Sequence, residues 1–420
     1  MSLKVQMRQK IWMFVPLVLL FVFSQFYRNS SAVIASDLMY DLSLTAAELG
    51  FVSSVFFYAF ALIQIPMGAA MDLIGARKLV LALSCVGILG AVVFCLAGTF
   101  PVVVLGRMLL GFGMASALMG TFKLLTIWYP PQTFATMSSV VLSIGVLGNI
   151  FATAPLAVAV DWMGWRKALL LVAFTHSAIT VWIHLVVRDP PEGEERGDDV
   201  DRRRWNWWKE SVEGVRQVMR LSSFWLIALA AFVRYGTYVS IAGLWAGPYL
   251  ECVHGVSLVN RGKMLLAFPL GMVAGGPIFG LLSDRVFKNR KWVVVAGLSL
   301  NALFIMPLTG LFPGFPLGLL VATFFGLGLF TSCGPVMYAN VKELVPSSLS
   351  GTAMTGVNFF LMLGAAVFQH GMGAAIARFS LSDGDLTVEA FSFAFRLCLI
   401  AVAVGCAGYL FVKDVGLNRS

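Results

Sequence analysis

Charge is what this chain has least of. Of its 420 residues only 12% are Asp, Glu, Lys or Arg, about half the roughly 25% usual in a soluble domain. Hydrophobic residues make up 59%, and the mean hydropathy is +0.85. The deficit excludes the ordinary soluble class and places the chain among membrane proteins. Also missing is a phosphate-cradling GxxxxGK[ST] loop, which argues against ATP-driven pumping. No HExxH, Ser/His/Asp or paired-carboxylate constellation occurs, so nothing points to an enzyme. Six cysteines (Cys85, Cys95, Cys252, Cys333, Cys398, Cys406) form no CxxC pair and no metal-like spacing. Five lie in apolar runs as small hydrophobes, and Cys252 has no partner in its connecting segment, so no disulfide, metal or other cofactor is expected.

What is present is length in the apolar runs. A spanning helix needs about 20 mainly apolar residues. Twelve runs qualify: 11–35, 47–70, 78–98, 102–127, 136–160, 167–187, 223–249, 264–282, 291–311, 317–338, 350–374 and 391–412. The fold class is therefore an all-α membrane protein with 12 transmembrane helices. Lys4, Arg8 and Lys10 before the first run, with Ala35-Ser36 after it, imitate a secretory leader. The remaining topology needs that run as its first span, and it is read as one. Residues 188–222 form the one long hydrophilic connection, rich in both signs from Arg188-Asp189 through Arg202-Arg203-Arg204. The expected organisation is six spans in 1–187, the linker 188–222, and six spans in 223–420.

The formal charge of +9 is distributed as topology, not as a nucleic-acid stripe. Twenty of the 30 Lys and Arg fall in segments on the N-terminal side of the bundle, and six fall on the opposite side. The excess marks the cytoplasmic face. Both termini and the linker are then cytoplasmic, in a membrane of the bacterial inner type, with lipid and a small solute as the partners and a monomer as the assembly. In the linker, Trp208, Val212, Val215 and Met219 recur at helical spacing, with Lys209, Glu213 and Arg216 between them. That pattern predicts an amphipathic helix on the inner interface, anchored by Trp205, Trp207 and Trp208.

Arg28 and Arg234 each sit near the middle of an apolar run. A cation there costs roughly 2.5–3.5 kcal/mol on insertion scales. No Asp or Glu falls within a predicted span beyond its outermost turn to neutralise either one: Asp37, Asp41, Glu48, Asp161 and Glu251 are read as outer. An anionic ligand is the simplest partner left, and a planar guanidinium suits carboxylate and phosphate alike. Ser24, Arg28 and Ser31 share one helical face, as do Arg234, Thr237 and Tyr238, so each face is expected to line water or ligand.

Two inner connections repeat each other. Gly68-Ala-Ala-Met-Asp72-Leu-Ile-Gly75-Ala-Arg77-Lys78 follows the second run, and Gly280-Leu-Leu-Ser-Asp284-Arg285-Val-Phe-Lys288-Asn-Arg290-Lys291 follows the eighth. In each, an acid can cap a helix and pair with basic neighbours, a contact suited to locking one face shut. These segments resemble the loop signature of the major facilitator superfamily, and Arg107-Met-Leu-Leu-Gly111-Phe-Gly113 is similar to a second motif of that family. The resemblance implies two six-helix bundles rocking about a midplane site, with Gly68, Asp72, Gly75, Arg77, Lys78, Arg107, Gly280, Asp284 and Arg285 in gating roles. Phe26-Tyr27-Arg28-Asn29-Ser30 and Phe232-Val233-Arg234-Tyr235-Gly236 are further similar to the first- and seventh-helix segments of the organophosphate:phosphate antiporters, where both arginines bind phosphate. Lys123 falls where that family has an arginine. Gly145 stands where it uses a histidine for phosphate. Carboxylate carriers of the superfamily also keep a first-helix arginine.

The remaining candidates for the cavity wall are Tyr27, Ser31, Tyr235, Tyr238, Lys123, Asn149 and Asn358, and Trp245 is a further one. Lys123 is placed equally well at the inner surface by snorkelling. His176 and His184 are read as structural, on a lipid-facing sixth span, and His370 is left open between structure and function. The glycine pairs Gly111/Gly113 and Gly145/Gly148 are read as close helix contacts. Secondary transport of a small organic anion, by exchange or by proton symport, is the leading function. The alternative from another class is a membrane sensor of an organic anion that signals to a kinase. A cationic-drug exporter fits badly with two midplane arginines and no acid.

Overall fold

The computed structural model describes residues 3–129, 131–187, 213–312, 314–346, 349–379 and 386–413, and these contain helices and no strand. Eleven helices are long and apolar enough to cross a membrane, and a bent pair at the start makes a twelfth. In chain order α1 is Leu3–Asn29 continued by Ser31–Leu42, α2 Ala46–Ile74, and α3 Ala76–Cys95. Next come α4 (Phe100–Met114, Ser116–Trp128), α5 (Pro131–Phe151, Ala154–Met163) and α6 (Trp165–Val186). After the linker, α7 runs Ser222–Ser240, Ile241–Trp245 and Ala246–His254, and α8 runs Leu258–Leu265, Ala267–Leu281 and Leu282–Val286. The last four are α9 (Arg290–Ile305, Met306–Thr309), α10 (Leu317–Thr331, Gly334–Glu343), α11 (Ser350–Ala377) and α12 (Val388–Tyr409).

Several helices outrun the apolar stretches that announce them. α1 continues to Leu42 and stops where Ser43 turns left-handed (φ 50°). Asp37 and Asp41 are therefore on a helix, a correction to the loop expected after residue 35. Local hydrogen bonding, once nucleated, carries a helix past its apolar segment until a cap stops it. α2 begins with a reciprocal cap: Glu48 N–H donates to Thr45 Oγ1 at 3.2 Å, and Thr45 N–H donates to Glu48 Oε2 at 2.9 Å. The turn from α2 into α3 rests on Gly75, whose φ of 93° is open to glycine and strained for other residues.

Breaks occur at related places in the chain's two parts. α1 bends by 50° just after Arg28, and α7 passes through one π turn at Ile241–Trp245 soon after Arg234. α4 breaks at Ala115, and α10 at Ser332 and Cys333 before Pro335. Each break frees backbone carbonyls within a span, which need partners in a medium without water.

Large apolar side chains such as Phe174, Leu185, Ile400 and Phe411 point outward. That surface is costly in water and suited to lipid chains. The connections sort to two ends. Arg166 bonds Asp41 and the Ala97 carbonyl at one end, with Arg261 on Glu251 and Ser36 nearby. Arg77 donates to the His184 carbonyl at 2.7 Å at the other, where Arg290 also pairs with Asp284 and Glu343. At the Asp41 end, spans from before and after the linker press backbone to backbone. A Cβ on Gly50 of α2 would lie 2.9 Å from Gly373 Cα of α11. The pairs Gly113 with Gly87 and Gly148 with Val22 are equally tight, as the glycine pattern predicts.

Of the predicted linker helix, residues 213–219 are helical and the rest lies outside the described residues. Val215 and Met219 are exposed while Val218 is buried, so the stripe turns partly toward the bundle.

Candidate functional site

Arg28 and Arg234 are both buried, at 6% and 5% exposure. Among the described residues neither has a carboxylate partner, although the helix extensions put more acids on helices than the apolar runs allow. Arg28 lies on the last turn of α1 before its bend, with its guanidinium carbon 4.3 Å from the centre of the Phe60 ring of α2. Its one hydrogen bond, to Ser24 Oγ, is long at 3.5 Å, and its Nε is buried without a partner. A cation over an aromatic face is held by the ring quadrupole while its N–H groups stay available.

Arg234 is held more firmly. Its Nη1 donates to the Thr331 carbonyl and, at 3.1 Å, to Thr331 Oγ1. That carbonyl is free because α10 breaks immediately after it. Nη2 sits beside Gly334, where a Cβ would come within 2.5 Å of it, so the lack of a side chain makes room for the guanidinium. Tyr338, one turn further along α10, lies within electrostatic reach of both Arg28 and Arg234. Both cations therefore lie near the same residue, Tyr338.

A polar chain leads away from that residue. Tyr338 Oη donates to Asn358 Oδ1 at 3.1 Å, and Asn358 Nδ2 donates to Gln64 Oε1 at 2.9 Å. It joins α10 and α11 to α2, and so links the two parts of the chain. Beside Arg28, Asn29 Nδ2 donates to Asn149 Oδ1 at 2.8 Å and steadies α1 against α5. Tyr235 and Tyr238 lie near Arg234; Tyr238 Oη donates to Met272 Sδ at 3.0 Å and its ring meets Phe268 edge-on.

Some predicted neighbours are elsewhere. The bend after Arg28 carries Ser31 off the Ser24–Arg28 face, and Ser31 Oγ accepts from Arg107 Nη2 at 2.5 Å. Arg107 Nη1 donates to the Tyr27 carbonyl at 3.1 Å, so this third buried arginine braces the bend in α1 and stands apart from the Asp284-end loops. Tyr27 turns its ring to Phe23, Phe26 and His176, away from Arg28. His176 is fully buried, stacked on Phe23 and 3.0 Å from Ser84 Oγ, which corrects the lipid-facing expectation. Trp245 is fully buried against Phe391. Lys123 is exposed late in α4. His370 lies edge-on to Phe51 where α11 meets α2.

At the Asp284 end, Arg290 is the partner of Asp284 and Glu343, while Arg285 and Lys78 are exposed. Gly280 opens onto free space. The surroundings of Gly68 and the side chain of Asp72 lie outside what is described. Sequence reasoning missed Phe60, Gln64, Thr331, Gly334 and Tyr338 as parts of the central site, whereas Arg290 is one of the basic neighbours of Asp284 in the repeated loop. The Gly334-Pro335 pair inside an apolar run was the available signal for the break that binds Arg234; the others carry none.

Comparison with known proteins bears on the family and the fold. The family model described as Major Facilitator Superfamily matches residues 17–369. The "Probable sulfoacetate transporter" of Cupriavidus necator is 26% identical over 295 residues, covering 67% of this chain and 68% of its own. The "Probable hexose phosphate transport protein" of Chlamydia trachomatis is 24% identical over 395 residues, covering 88% and 86%. The "Probable galactarate/D-glucarate transporter" of Escherichia coli is 21% identical over 428 residues, covering 92% and 91%. Among solved structures, a bacterial homologue of the human lysosomal transporter Spinster superposes with a TM-score of 0.76 at 18% identity, covering 96% of each chain. A D-xylose–proton symporter gives 0.77 at 13%, covering 96% and 98%. This chain belongs to the major facilitator superfamily, and it is a multi-pass transmembrane transporter, not an enzyme.

Proposed function

We propose that this protein moves a small organic anion across the membrane by alternating access, with Arg28 and Arg234 as its ligands from the two parts of the chain. The observation that carries the reading is the pair itself: two buried guanidinium groups near the same residue, Tyr338, with no carboxylate partner among the described residues. Like charges in a poorly screened space repel, and burial adds a desolvation penalty for each. An anion between them relieves both terms, so a loaded chamber closes more easily than an empty one. This favours exchange of one anion for another.

The relatives' names give sulfoacetate, hexose phosphate and galactarate or glucarate as cargo, all organic anions. Within that class the local packing supports a carboxylate or sulfonate head group over a phosphate ester. A Cβ at Gly145 would run into the Phe21 ring, so the place where the phosphate antiporters keep a histidine is filled here by an apolar side chain. The orientation read from Lys and Arg makes the Asp284 end cytoplasmic, in a bacterial-type inner membrane. The backbone contacts at Gly50, Gly373, Gly247 and Ala32 then seal the external side of a six-plus-six bundle working as a monomer.

Purified protein screened by thermal shift against a panel of carboxylates, sulfonates, phosphate esters and nitrate tests the reading. A shift with one organic anion that disappears in Arg28→Ala and in Arg234→Ala supports it. An anion shift that survives both substitutions refutes the site. In liposomes, equal uptake into empty and anion-loaded vesicles refutes exchange while leaving carriage intact.

A further inference from the structure

The seam between α2 and α11 is held by different means at its two ends. Toward Asp41 it is closed by backbone, since a Cβ on Gly50 would lie 2.8 Å from the Gln369 carbonyl oxygen and 2.9 Å from Gly373 Cα. Toward Asp284, where α11 begins, a Cβ on Gly351 would meet nothing within 4 Å. What joins the two helices on that side is a pair of amide side chains, Asn358 Nδ2 donating to Gln64 Oε1 at 2.9 Å. Backbone packing opens only when a whole helix moves. One neutral hydrogen bond adds little net stability, and a change in a single neighbour can undo it.

That neighbour is Tyr338. Gln64 lies one helical turn beyond Phe60, the ring against Arg28, and Tyr338 lies one turn beyond Gly334, which makes room for Arg234. Both turns lead toward the Asp284 end. Tyr338 Oη donates to Asn358 Oδ1 at 3.1 Å, so Asn358 is anchored by the phenol while it holds Gln64. The same phenol is within electrostatic reach of Arg234, Tyr235 and Arg28. A hydroxyl has one proton to donate. Where an anion and a neutral amide oxygen compete for it, the anion prevails, because a hydrogen bond to a charged acceptor is roughly twice as strong.

We propose that Tyr338 couples occupancy to opening: its hydroxyl turns from Asn358 to the bound anion, and Asn358, no longer anchored, releases Gln64 and parts α2 from α11 at the Asp284 end. The proposal rests on the anion reading of Arg28 and Arg234, and adds to it a third ligand and a release step. In the empty protein the amide tie stays made and the Asp284 end stays shut. Exchange then has a structural cause, since an empty carrier holds nothing that undoes the tie.

Spin labels at Ile74→Cys and Gly351→Cys, both exposed near the Asp284 end, report the seam as a distance measured by pulsed electron resonance. The full-length background protein carries serine in place of Cys85, Cys252 and Cys406, which are not buried. Without anion that protein is expected to show a single short distance. Tyr338→Phe and Asn358→Ala should each raise a longer population about fivefold, and the double variant should add nothing, because both act on one tie. A mixture of sulfoacetate, glucarate and glucose 6-phosphate should raise the same population in the background protein and no further in Tyr338→Phe. Isothermal titration with the anion that responds should show about a tenfold loss of affinity in Tyr338→Phe. An unchanged anion-free distance in Tyr338→Phe overturns the proposal with no ligand involved. A thermal shift with the mixture but no lengthening in the background protein overturns the release step and leaves the arginine site standing. No thermal shift at all refutes the site reading itself, and with it the anion's part in the release.

Discussion

The two central arginines are alike in the sequence and unlike in the molecule. Arg28 rests on the Phe60 ring with one long hydrogen bond, whereas Arg234 is tied to the hydroxyl and carbonyl of Thr331. The difference lies in the partner helix. α10 breaks next to Arg234 and lends it a free carbonyl, while α2 runs unbroken past Arg28 and offers it an aromatic face. Arg234 is thus positioned before any ligand arrives, and Arg28 has more donors to give. Under the proposed reading, a fixed cation on one side and an available one on the other would make binding a capture by Arg28 of an anion already registered on Arg234.

Replacing either arginine by alanine is the bluntest way to break this comparison. Loss of affinity for the transported anion of about 100-fold or more is expected for each, because the partner charge stays buried and unmatched. Isothermal titration of the purified variants measures it. Lysine substitution separates the two sites. Arg234→Lys leaves one nitrogen to serve both Thr331, which Nη1 alone holds in the native protein, and the ligand, so about a 30-fold loss is expected there, against roughly tenfold for Arg28→Lys. Equal losses would show that the asymmetry has no functional weight.

Gly334→Ala sharpens the same point from the other partner. The added methyl meets Arg234 Nη2 and should weaken the anion by about tenfold, through overpacking of 1–3 kcal/mol, with little effect on any interaction of Arg28. Smaller effects are expected from single contacts. Phe60→Leu removes a cation–π contact worth about 1 kcal/mol, and Thr331→Val removes one hydroxyl acceptor of similar worth; each should cost about fivefold in affinity. At the Asp284 end, Asp284→Asn should slow transport with anion affinity unchanged, and Arg285→Ala should alter neither, because Arg290 holds the pair. Transport assays and titrations on the same preparations decide it.

Much of the architecture was legible before any coordinates. The apolar runs are long because the bilayer is thick, so their number and order follow from length and hydropathy alone. The cost of an unpaired charge at mid-depth made Arg28 and Arg234 conspicuous for the same reason. Helix ends were less legible: Asp37, Asp41 and Glu251 sit on helices that continue past their apolar segments until a cap intervenes. Tyr27 and Ser31 adjoin Arg28 in the chain and turn away from it in space, because a 50° bend separates Ser31 from the face that Ser24 shares with Arg28.

Composition and spacing by themselves determined that the chain crosses the membrane about twelve times and carries two mid-depth cations, since both follow from the free energy of burying side chains in hydrocarbon. Which groups surround those cations was decided only by tertiary structure. Thr331, Gly334, Tyr338, Gln64 and Phe60 are distant in sequence from the arginines they attend or adjoin. Their roles exist only where helices from both parts of the chain break, bend and pack against one another, and no local pattern of residues encodes that meeting.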